Sequence, residues 1–175
     1  AFEGVTKPES DIAFELISAR CPTIAHWVKA SRQSLDDQPA LQAFLDMRLR
    51  YGLELKLESQ IISGSGTAGQ MTGLATAATA YTPATGDTGL DSLSKALALL
   101  ENGGFTPDCV VLNPIDFGAL QRAKTTTNEF ILGDPAAATL PVLWGVPVFK
   151  SASVASGKFL AADLQSSAAL FVRQD

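Results

Sequence analysis

One stretch constrains the fold more than any other. Between residues 34 and 62, Leu41, Phe44, Leu45, Leu49 and Leu53 recur at helical spacing, and Asp46, Arg48, Arg50 and Glu54 fall largely elsewhere. Ser34 and Asp36 offer N-cap oxygens, and Pro39 suits a first turn, where a missing N–H costs nothing. The pattern continues through Leu57 to Ile61 and Ile62 without a breaker. It predicts a helix of about 25 residues, roughly 38 Å long at ~1.5 Å per residue. In a chain of 175 residues, so long a helix reads as a spine joining two regions.

Residues 1–33, before the helix, read as extended. Pro8 pushes Lys7 out of the α region. In Ile12-Ala13-Phe14-Glu15-Leu16 the larger apolar residues fall at every second position, the strand period, and Thr23–Val28 is a second strand candidate. Little here can form a private core, so such a ribbon needs a neighbour to cover it.

Ser63–Gly73 is a glycine-rich break after the helix. A small-residue stretch follows, then a turn at Pro83–Gly89. Thr88 is a candidate cap for a second amphipathic helix, with Leu90, Leu93, Leu97 and Leu100 on one face and Gly103-Gly104 at its end. Cys109–Leu112 reads as a strand, Asn113-Pro114 as a turn and Ile115–Lys124 as a short helix. A polar loop with Gly133-Asp134-Pro135 leads to Leu140–Gly145, and Val146–Lys150, Lys158–Ala162 and Ala168–Val172 are strand candidates. Residues 63–175 therefore read as a compact mixed α+β domain with its own core.

Charge narrows the function. Only 18% of residues are charged, net charge is -5, and no Lys/Arg cluster offers a grip on phosphate backbones. A surface so sparse in charge is suited to being covered by a partner. No apolar run reaches the roughly 20 residues that span a membrane, and residues 1–11 have no apolar core of a signal peptide. Cys21 and Cys109 form neither a disulfide framework nor a metal spacing, and read as two half-buried thiols.

Candidate sites are few. Gly64-Ser65-Gly66-Thr67-Ala68-Gly69 matches GxGxxG by letter, but that motif needs a strand before it and a helix N-terminus after it. A helix precedes it here, so a flexible hinge is the competing reading. His26, the one histidine, cannot build a multi-histidine metal site and reads as structural. The carboxylates Asp36, Asp37, Glu54 and Glu58 read as caps and solvated charge. No nucleophile elbow or acid–base pair emerges, so no enzyme, cofactor or metal is expected.

The runs Lys7-Pro8-Glu9-Ser10-Asp11-Ile12, Thr23–Val28 and Ala30–Gln33 resemble the tailed-bacteriophage major capsid protein family. So, in the same order, do Arg48-Leu49, Tyr51-Gly52, Ile61–Gly66, Ala80-Tyr81, Gly86–Thr88, Val111–Pro114 and Trp144–Val148. Each motif is short; their ordered set is specific and covers essentially the whole chain.

The resemblance implies the phage major capsid protein fold. Residues 1–33 would be the returning half of an extended loop that lies across a neighbouring subunit. Residues 34–62 would be the spine helix of a peripheral domain, and 63–175 an axial domain packing around five- and six-fold axes. It further implies a central fragment of a longer shell subunit. That subunit would assemble with copies of itself into pentamers and hexamers, with scaffold, protease and portal proteins as further partners. Its place would be the virion, built in the host bacterial cytoplasm around double-stranded DNA. In some members a loop lysine forms an isopeptide bond with a neighbour's asparagine, helped by a glutamate. Lys7 matches that lysine's setting, and Asn102, Asn113 and Asn128 do not match the asparagine's. Two other readings stand beside this one: an encapsulin-like compartment shell, which shares the fold and packages a protein cargo, and a small nucleotide-binding protein resting on Gly64–Gly69.

Overall fold

The computed structural model describes residues 11–16, 21–30, 39–67, 69–132 and 141–172. Lys7, the proposed caps Ser34 and Asp36, and the Gly133–Pro135 loop lie outside them. Helix α1 spans Pro39–Ser63, in agreement with the periodicity. Short α2 (Leu74–Ala77) follows, then α3 (Gly89–Asn102), β1 (Cys109–Leu112), α4 (Pro114–Gln121), β2 (Val142–Leu143), β3 (Val146–Lys150), β4 (Phe159–Ala162) and short α5 (Leu164–Ser167). The sheet order is β2-β3-β1-β4; β1 runs parallel to β3 and antiparallel to β4, and β2 and β3 form a hairpin.

Central β1 is buried at all four positions, and its alternating side chains feed two cores. Val110 and Leu112 point with Val146, Val148 and Leu143 toward Leu93 and Leu97 of α3 and Phe117 of α4. Val111, with Leu160, points the other way, to Ile62 of α1 and Val154. That second face is only half covered. By register, Val142, Pro147 and Phe149 share it with Val111, and all three are exposed.

The caps explain where the helices stop. Thr88 and Asp91 form a capping box at the start of α3. At its end the Phe105 amide donates to the Leu100 carbonyl and the Gly104 amide to Glu101, with Gly104 at φ 83°. This is a Schellman motif that needs a residue free to turn left-handed. Asn113 caps α4: its Oδ1 accepts the Ile115 amide at 2.9 Å while its Nδ2 donates to the buried Val154 carbonyl at 2.7 Å.

Three expectations are corrected. Residues 11–16 and 21–30 form no strand, because an extended ribbon with no paired neighbour has nowhere to place its ladder bonds. Ala168–Val172 is not a strand either: Asp163 caps the turn of α5, and residues 168–172 follow it with no strand partner among the described residues. The Ser63–Gly73 break is not a flexible hinge. The Gly66 amide donates to the Met71 carbonyl at 3.0 Å, the Gly73 amide to Gly64 at 2.9 Å, and Thr76 Oγ1 to Gly64 at 2.7 Å. A Cβ on Gly64 would fall 2.2 Å from the Met71 carbonyl oxygen. These glycines permit a close backbone crossing.

Candidate functional site

Among the described residues it is the surface, rather than a reactive side-chain cluster, that stands out. Among the described residues, no group of three or more His, Cys, Asp or Glu side chains could hold a metal, and no helix is long and apolar enough to cross a membrane. What is abundant is apolar surface left open.

It comes in four places. The ribbon exposes Ile12, Phe14 and Leu16, the last two at 93% and 98%. On α1, Phe44, Met47, Tyr51 and Leu55 are exposed at spacings of three and four, so they form one stripe. The same stripe continues to Glu58 and Ile62, where it docks: the Ser151 hydroxyl donates to the Glu58 carboxylate, and Ile62 is buried against Val111, Val154 and Leu160. The helix is thus fastened to the sheet at its C-terminal turn. The third place is the uncovered part of the sheet's second face, ending in the hairpin turn Trp144-Gly145. The fourth is a groove along the outer edge of β4, between α2 and the end of α3, lined by Leu74, Ala77, Ala78, Leu100, Phe105 and Ala161.

Residues 21–30 run against α1. His26 and Val28 line a shallow groove with Leu45, Leu49 and Gly52, and a Cβ on Gly52 would fall 2.9 Å from the His26 ring. His26 therefore packs on a helix where only glycine leaves it room. Trp27, its neighbour, is exposed, with Lys29 Nζ 5.6 Å from its ring centroid.

Charge does structural work near the β1–β4 end. Asp108 Oδ1 and Oδ2 accept the amides of Leu164 and Gln165 at 3.0 and 2.7 Å. Asp163 accepts the amides of Ser166 and Thr106, both at 3.2 Å. Hydrogen bonds from the Leu164 amide hold the Asp108 carboxyl below its ordinary range, and those from Ser166 do the same for Asp163. The thiol of Cys109, beside Asp108, is pushed up to about 12 by burial. Cys109 is fully inside and Cys21 fully outside, so neither matches the half-buried expectation. Asp91 is lowered by its capping bond to Thr88, and Lys95 is raised by its bond to Asp87 at 2.6 Å.

The sequence candidates fare unequally. Gly64–Gly69 follows α1 rather than a strand, and its Gly64 and Gly66 amides donate to the Gln60 and Met71 carbonyls, with Ser65 and Thr72 bridged across it. The strand-loop-helix setting that the nucleotide-binding reading needs is not what surrounds it. Glu58 is not simple solvated charge, since Ser151 binds it. Lys7 lies outside the described residues. Missed by sequence reasoning were Asp108 and Asp163, whose acceptor roles depend on strands brought together from distant positions, and Trp144, whose left-handed turn has no sequence signal beyond the glycine after it.

Comparison with known proteins gives this surface its context. The sequence profile of the phage capsid family matches residues 2–175. The major capsid protein of Enterobacteria phage HK97 is 40% identical to this chain over 176 residues, covering 99% of the chain and 46% of the phage protein. The chain spans about half the length of that relative. With a match over nearly all its residues and an α+β fold built around one mixed sheet, the chain belongs to the phage capsid family.

Proposed function

We propose that this chain is the central part of a phage shell subunit whose work is the burial of surface between copies. The observation that carries the reading is the family match over residues 2–175, joined to apolar side chains left open on ribbon, helix and sheet. Exposed apolar area of this extent is a demand for partners. Burial at roughly 25 cal/mol per Å² lets many modest contacts hold a closed shell. No catalytic step is involved.

In this reading, residues 1–33 are the returning half of the extended loop, 34–62 the spine helix of the peripheral domain and 63–175 the axial domain. The loop lies over a neighbouring copy, which would cover Ile12, Phe14 and Leu16. The copies close into pentamers and hexamers around double-stranded DNA, without sequence-specific contact, as the net charge of -5 favours. Scaffold, protease and portal proteins are the further partners, with assembly in the host bacterial cytoplasm and final residence in the virion. Lys7 is the donor for an intersubunit isopeptide bond.

Electron microscopy of the full-length gene product, expressed with its own protease or scaffold, tests this. Closed shells are expected. Soluble monomers under every assembly condition would overturn it. For Lys7, denaturing gels of assembled particles should show covalent multimers that vanish with Lys7→Ala; an unchanged ladder excludes this donor.

A further inference from the structure

The two edges of the sheet carry complementary features. At the β2 edge, the two-residue turn puts Trp144 at φ 49° and Gly145 at φ 84°. A type I′ turn accepts Asn or Gly readily. A bulky residue held left-handed is strained. Trp144 is nonetheless there, 57% exposed, at the tip of the hairpin that carries exposed Val142, Pro147 and Phe149. It weakens the turn and is more than half open to solvent, so its gain lies outside its own subunit.

Across the sheet, the outer edge of β4 carries the apolar groove between α2 and α3. Among its described lining residues only Asp163 is ionisable. Thr79 and Ser167 also line it and offer oxygens to a polar tip. An indole, with a large apolar body and one N–H, fits that chemistry.

We infer that the Trp144 hairpin of one copy seats in the β4-edge groove of the next. The inference rests on the shell-subunit reading and names the surfaces that meet within a ring. Cyclic assembly needs a head-to-tail contact between two different patches. The Trp144 turn and the β4-edge groove are two such patches: both lie at the end of the sheet where β1 begins, with β3 and β1 between them, a lateral separation of roughly 14 Å at the usual strand spacing. Tryptophan is also among the residues enriched at desolvated interface anchors.

The test uses full-length protein in a Lys7→Ala, Cys21→Ser background, so that the isopeptide bond proposed for Lys7 adds no ladder of its own. Trp144→Cys and Ala78→Cys are combined, and assembled particles are oxidised, denatured and run without reductant. A ladder reaching five and six subunits is expected from the double variant, and dimers alone when the two single variants co-assemble. Normal particles that run as monomers would overturn the inference while leaving the shell reading intact; absence of particles from the unsubstituted protein would remove both. Trp144→Asn separates fold from contact. The subunit should melt at the same temperature or higher, since the turn relaxes, while the protein concentration needed for assembly rises at least tenfold. Assembly at the original concentration would also overturn the inference.

Discussion

Asp108 and Asp163 clasp the same junction from opposite sides: the first holds the start of α5 that follows β4, the second holds the Thr106 amide that precedes β1. No cation accompanies them among the described salt bridges; hydrogen bonds from backbone amides, with the Ser166 and Cys109 side chains beside them, balance the two charges. Both carboxyls, with Asp91, lie below the ordinary value of 3.8. A carboxyl with a depressed folded value stabilises above its unfolded value and loses that contribution as pH falls through the folded one. The urea midpoint is therefore expected to hold steady between about pH 5 and 7, where the carboxyls are ionised in both folded and unfolded chains, and to fall below about pH 4. Asp108→Ala should lower stability by about 1 kcal/mol at neutral pH, as loss of a capping acceptor does, and flatten the acid limb. Denaturant titration at several pH values measures both.

Gly64 and Gly73 cross at backbone contact. A Cβ at Gly73 would lie 2.3 Å from the Gly64 nitrogen. Gly73→Ala or Gly64→Ala is expected to cost about 3 kcal/mol, the upper range for overpacking. Gly69 provides the contrast: its φ is 76° but a Cβ there meets nothing within 4 Å. Gly69→Ala should cost only about 1 kcal/mol from strain. Equal losses at the three sites in thermal melts would refute the crossing.

Asn113 does two jobs with one buried amide, capping α4 and satisfying Val154. Asn113→Ala leaves a buried carbonyl and a helix amide without partners. A loss of about 2–3 kcal/mol is expected. Asn113→Asp keeps the acceptor and loses the donor, so its cost at neutral pH should remain substantial. Calorimetry of the two variants checks the split.

Cys109, with its thiol pushed up to about 12 inside the sheet, holds almost no thiolate at pH 8. Cys21 is exposed. Alkylation of native protein at pH 8, read by peptide mass spectrometry, should modify Cys21 within minutes and spare Cys109 until denaturant is added. Equal labelling would place β1 at the surface.

How much of this was legible in the sequence follows from the range of the interactions involved. Helix α1, the Thr88 cap and the Gly103-Gly104 stop are written in neighbouring residues, and periodicity with capping chemistry finds them. Ala168–Val172 misled because β-branched and aromatic content reports fitness for a sheet, and a strand exists only where a partner's edge is free to bond it. The glycine run misled in the other direction: composition alone cannot tell freedom from close approach, and the difference lies in where Met71 returns. For the surface, Phe44 and Leu53 were placed on a core-like stripe, yet they are open. Helical spacing marks a face to be buried without saying what buries it.

The position of β1 has a kinetic consequence. It is the central strand, and both strands that bond it, β3 and β4, come later in the chain. During synthesis at ~5–20 residues per second, the apolar run Cys109–Leu112 waits on the order of seconds before Val146–Lys150 can pair with it. A nascent subunit passes through an interval with its innermost strand bare. Substitutions in β3 should therefore show themselves first as aggregate in the cell, at growth temperatures where the finished protein is still comfortably folded.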